Sequence, residues 1–144
     1  MTITRFLSTL ARIGLSLGFA LTIAACRTVP APEDIPDGLS QAEMFQRAQE
    51  AVDEENWDAA LVYYETFLDR FPEDHANRAA AKYEVAFIYY RQGNLTTAEE
   101  LFDAVLADYE NPDIADQLPE WPRILSAKLL GMIEEEQNEA LRTQ

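Results

Sequence analysis

The sequence offers one thiol, Cys26, and one imidazole, His75. With a single cysteine, neither an intramolecular disulfide nor a cysteine-rich zinc site can form, and the usual nucleophile–base pairs lose a member. His75 sits in the segment Pro72-Glu73-Asp74-His75 between two apolar runs, where it reads as a solvated turn or capping residue. The runs Glu54-Glu55 and Glu134-Glu135-Glu136 resemble paired carboxylates in composition alone. Each ends a helical pattern or faces water, so they read as solvated surface rather than acid–base machinery. None of the five glycines builds a phosphate-binding loop, and the acids around Asn111-Pro112-Asp113 fit no calcium-loop spacing. The residues therefore point away from an enzyme: no catalytic set, no metal, no cofactor and no small-molecule substrate are expected.

What surrounds Cys26 gives it a different role. Residues 1–25 contain no Asp or Glu, carry Arg5 and Arg12, and continue into an apolar stretch over 13–25 that ends in small residues. This is the layout of a secretory signal. The apolar run falls short of the roughly 20 residues of a spanning helix. Ile23-Ala24-Ala25-Cys26 resembles a lipobox, the maturation motif of bacterial lipoproteins. The resemblance implies diacylglycerol on the Cys26 thiol, cleavage before it and acylation of the new amino group. Such multiple acylation holds a protein stably at a membrane where one chain does not. The other reading is an ordinary signal anchor with an incidental thiol. Arg27 follows, where an Asp would retain many lipoproteins at the inner membrane, so the resemblance favours the outer membrane, facing the periplasm. The expected organisation is a signal peptide over 1–25, a lipidated cysteine with a flexible tether over 26–38, and a folded domain over 39–144. The tether is rich in proline and acid (Pro30, Pro32, Pro36; Glu33, Asp34, Asp37).

All 26 acids but only nine of the eleven Lys and Arg lie in 26–144, a formal charge of −17. Such a chain repels nucleic acid and anionic headgroups and suits a basic partner. Aromatic residues make up 10% of the sequence, enough to build the core of a small single domain.

That domain repeats itself at an offset of 38 residues. Asn56, Ala60, Tyr64, Phe67 and Phe71 align with Asn94, Ala98, Phe102, Val105 and Tyr109; upstream, Ala48 aligns with Ala86 and Val52 with Tyr90. Small residues at matching positions let paired helices approach closely, and the large ones fill the space between them. Ser40 and Glu43 form a capping box for a helix through about Glu54. Asn56 can cap a second helix, stopped at Pro72; Asp74 or Asn77 opens a third, ending at Gly93; Asn94 or Thr96 opens a fourth, ending near Tyr109. Residues 113–121 read as a loop, and Pro122 suits the first turn of a fifth helix reaching at least Glu136. The fold class predicted is all-α: two helical hairpins and a C-terminal capping helix with a polar outer side, five helices in all.

The pattern Ala48, Trp57, Ala60, Tyr64, Phe67, Pro72 resembles a tetratricopeptide repeat, and Ala86, Tyr89, Ala98, Phe102, Val105 a second. Asn56-Trp57-Asp58-Ala59-Ala60, Arg70-Phe71-Pro72 and Ala86-Phe87-Ile88-Tyr89-Tyr90 resemble most the envelope branch of that superfamily. This branch comprises the lipoprotein of the outer-membrane β-barrel assembly machinery (BamD-like) and the cell-division coordinator proteins. The unit here is longer than the usual 34 residues, and Glu110 stands where Pro72 stands in the first unit. The resemblance implies a membrane-anchored interaction scaffold of the bacterial envelope, in outer-membrane protein assembly. The alternatives are a cell-division or cell-wall-associated factor, or an accessory subunit of an envelope enzyme or export complex. It also implies a concave groove whose partner-binding residues are Phe45, Gln49, Val52 and Asp53 in the first hairpin and Tyr83, Phe87, Tyr90 and Arg91 in the second. Lys128, Met132 and Glu135 complete it from the last helix. Tyr83, Phe87 and Tyr90 share one helical face; the alternative is that this stripe fills the core.

Overall fold

The computed structural model describes residues 28–143. Cys26 and the expected signal lie outside the described residues. The helices are α1 (Gln41–Asp53), α2 (Trp57–Arg70), α3 (His75–Arg91), α4 (Leu95–Asp108) and α5 (Glu120–Arg142), with 3-10 turns at Pro32–Asp34 and Ala115–Gln117. The described residues form two antiparallel helical hairpins, α1–α2 and α3–α4, with α5 packed on α4 and the edge of α3. The all-α, tetratricopeptide-like architecture anticipated from the 38-residue offset is the one observed.

Local chemistry sets most of the boundaries. The Ser40 Oγ accepts from the Glu43 amide at 3.3 Å, and the Glu43 carboxylate accepts from the Ser40 amide at 2.9 Å, closing the capping box that opens α1. The Ser40 hydroxyl, which donates to the Glu43 carboxylate at 2.6 Å, and the Ser40 amide together hold that carboxyl below its ordinary range. Asp74 caps α3 through the Asn77 amide, making His75 the first helical residue; Asn94 caps α4 through the Thr97 amide. Asn56, the equivalent of Asn94, makes no side-chain cap. Its side chain is buried and donates to the Thr28 carbonyl at 3.3 Å. The fifth helix begins two residues before Pro122, because Pro122 in its third position gives up only an amide that has no partner within the helix.

Two packed clusters hold the hairpins together. In the first, Met44, Ala48 and Ala51 of α1 meet Ala59, Ala60, Tyr64 and Phe67 of α2, with Ala81, Val85 and Ile88 of α3. In the second, Tyr83 and Ala86 of α3 meet Ala98, Phe102 and Val105 of α4 and Ile133 of α5. Helix α3 contributes to both, so it is buried on more than one side and carries little amphipathic contrast. Ala48, Ala60, Ala86 and Ala98 are all wholly buried, the close-approach positions the repeat predicted.

Two expectations are corrected. The segment over 28–38 is not a free tether: Ile35 is 2% exposed in the first cluster, and the Arg70 guanidinium donates to the Ile35 and Pro36 carbonyls at 2.7 and 2.9 Å. Burying one isoleucine and satisfying two carbonyls outweighs the freedom that its prolines already restrict. The outer side of α5 is not uniformly polar, since Ile124 and Leu141 are 58% and 70% exposed. Among the described residues, no helix is long and apolar enough to cross a membrane.

Candidate partner-binding surface

The stripe on α3 exists, and most of its members touch. The rings of Tyr83 and Phe87 stack at 6.0 Å, and those of Phe87 and Tyr90 at 6.2 Å, one turn apart along the same face. The Arg91 guanidinium lies 5.9 Å from the Phe87 ring centre and 5.6 Å from that of Trp57, extending the row towards the α1–α2 turn. A depression of about 320 Å³ lined by Tyr90, Arg91, Gly93, Leu95 and Glu136 adjoins this end.

Tyr83, however, is core. It is 7% exposed, covered by Phe102 of α4 at 5.9 Å and by the edge of Trp121 of α5 at 5.2 Å. Its phenol is pushed up to about 12, chiefly by burial and secondly by the Glu84 carboxylate. Helix α5 thus folds over the far end of the stripe and leaves Phe87, Tyr90 and Arg91 as its accessible part. Trp121 was missed because Glu120-Trp121-Pro122 reads as the end of a loop. A helix start ahead of the proline lays its ring against Tyr83 while leaving it 40% exposed.

On α1, Phe45 and Gln49 attach to a different neighbour. Phe45 packs edge-on against Tyr64 at 5.5 Å and Phe67 at 4.8 Å, so it is half-buried in the first hairpin. Gln49 is exposed and donates to the Tyr64 hydroxyl. Beside it lies Glu84, whose carboxyl is pushed up by desolvation despite its hydrogen bond with Gln49. Gln49, Tyr64 and Glu84 thus form a polar seam where α1, α2 and α3 approach one another. Val52 is partly buried and Asp53 exposed; Lys128, Met132 and Glu135 stand exposed on α5. An aromatic row beside a polar seam and exposed acids can take a chain segment by stacking and hydrogen bonding. Among the described residues no group of His, Cys, Asp and Glu is clustered for a metal ion.

Comparison with known proteins agrees with the helical-hairpin fold. Residues 51–118 match the tetratricopeptide repeat family, a span from the last three residues of α1 to the loop before α5. A protein of Treponema pallidum (strain Nichols), described only as uncharacterized, is 36% identical over 86 residues, which cover 60% of this chain. Those residues are 34% of that relative, so the chain spans about a third of its length. No solved structure matches. Residues 51–118 are thus similar to the tetratricopeptide repeat, a helical-hairpin fold that typically serves protein–protein interaction.

Proposed function

We propose that the protein is a lipid-anchored scaffold of the bacterial envelope that holds a protein partner on the α3 surface. The observation that carries this reading is the accessible aromatic row of Phe87 and Tyr90, closed at one end by Arg91, on the first helix of the second tetratricopeptide-like hairpin. The lipobox-like Ile23-Ala24-Ala25-Cys26 supports the anchor, and Arg27 supports the outer membrane with the domain in the periplasm. Within that compartment, outer-membrane protein assembly is the process that the sequence resemblance favours.

Two measurements test the reading. Mass spectrometry of the mature protein should find an acylated Cys26 at the amino terminus; an intact Met1 would refute the anchor. Co-purification from detergent-solubilised envelopes should recover a specific protein with the wild type and much less of it with Phe87→Ala/Tyr90→Ala. Equal recovery would refute the surface, and recovery of no specific protein would refute the scaffold.

A further inference from the structure

The segment between Cys26 and the repeats runs along α2 and is fastened at both ends. At its start the Thr28 carbonyl accepts from the buried Asn56 amide at the head of α2, and Val29 lies in a depression with Glu55, Trp57, Asp58 and Gln92. At its finish Arg70, the last residue of α2, holds the Ile35 and Pro36 carbonyls, with Asp37 3.4 Å from the same guanidinium. Between them Ile35 is sunk in the core. Fourteen residues of α2 extend about 21 Å, close to the span of residues 28–35, whose 3-10 turn over Pro32–Asp34 rises about 2 Å per residue while the other five residues extend at most about 3.6 Å each, about 22–24 Å together. The strap therefore enters at the end of the domain bearing the α1–α2 and α3–α4 turns and leaves at the opposite end.

From Thr28 back to Cys26 is two residues, a reach of at most about 7 Å. We infer that this strap fixes the domain against the bilayer, with the end that carries the turns at 54–56 and 92–94 as its membrane-facing surface. The inference rests on the anchor reading above. That end holds Val29, 44% exposed, beside Trp57 and Arg91, and the last turn of α5 brings Leu141 to it, since Gln137 bonds to Glu99 in the second turn of α4. Asp53, Glu54 and Asp58 at the same end oppose adhesion to anionic headgroups, which leaves the covalent anchor and the apolar side chains to set the distance. The recognition row is thereby oriented: Tyr90 and Arg91 lie nearest the bilayer, and Trp121 with the 109–119 loop points away from it.

The test uses the full chain reconstituted in vesicles that contain a lipid-borne quencher. Cys26 is acylated in this reading, so a second cysteine can be labelled selectively; Gln92→Cys marks the near end and Asp116→Cys the far end. The expected result is quenching several-fold stronger at 92 than at 116. In Ile35→Ser, with helicity checked by circular dichroism, the difference should shrink. As a variant that leaves the core intact, an insertion of about ten Gly/Ser residues after Arg27 should also lower quenching at 92. Equal or reversed quenching on a protein whose Cys26 is acylated by mass overturns the orientation alone. An unacylated protein that leaves the vesicles overturns the anchor and the orientation together.

Discussion

At the scale of single residues, two polar groups sit where packing has little use for them. Ser126 is wholly buried on the inner face of α5, and its hydroxyl has no hydrogen-bond partner. An unpaired buried hydroxyl carries its desolvation cost without return, and alanine is the better helix former. Ser126→Ala should therefore raise the unfolding free energy by about 1 kcal/mol, visible as a higher urea midpoint with an unchanged slope. Glu84 is the second. Burial raises its folded-state pKa above the unfolded value, so the folded chain binds more protons around that range. Its destabilising effect is absent below the unfolded carboxylate range, about pH 4, and grows as pH rises through the folded value. Glu84→Gln keeps an acceptor for Gln49 and removes the charge. Thermal melts should show the variant more stable than wild type at pH 7, with the gap closing under acid; a gap that widens under acid would contradict this origin.

Secondary-structure elements show how the same repeat position serves different ends. Glu55 and Gly93, 38 residues apart, both adopt positive φ, 55° and 75°, in the turns that close the two hairpins. A Cβ at Gly93 would meet nothing within 4 Å, so the turn's demand is conformational rather than steric. Gly93→Ala should cost about 1 kcal/mol in equilibrium denaturation, with the fold retained. The hairpins were legible in the sequence because Ala60 and Ala98, Tyr64 and Phe102, and Phe67 and Val105 declare the period without help from the structure. The strap was not legible, since its proline and acid content is that of a linker. Only the burial of Ile35 and the use of Asn56 as a clamp instead of a cap distinguish it. The candidate surface was legible in part. The periodicity of Tyr83, Phe87 and Tyr90 gives the face, but which end α5 covers depends on a helix start that Pro122 conceals.

For the whole molecule, the α3 row divides into framework at Tyr83 and an accessible part at Phe87, Tyr90 and Arg91. Tyr83 bridges α3, α4 and α5 through Phe102 and Trp121, whereas Tyr90 lies at the open end beside Phe87 and the depression lined by Gly93 and Glu136. Removing the first leaves a cavity at the junction of three helices, a loss of about 3–5 kcal/mol that endangers a domain of this size. Removing the second strips a half-buried ring from the surface and leaves the junction filled. Tyr83→Ala should therefore lower the melting temperature sharply and weaken partner retention only through loss of folded protein. Tyr90→Ala should melt within a few degrees of wild type and still lose about tenfold in affinity, the scale of one aromatic anchor. Circular dichroism melts paired with binding measurements on the two variants separate these effects. If Tyr90→Ala binds as well as the wild type while Tyr83→Ala alone fails, the row is framework along its whole length and the partner docks elsewhere. The acidic excess of the chain adds a condition to the binding arm. A partner drawn by charge should bind more weakly as salt shortens the screening length from about 10 Å at 0.1 M to about 3 Å at 1 M, and the stacking contribution of Tyr90 should persist across that range.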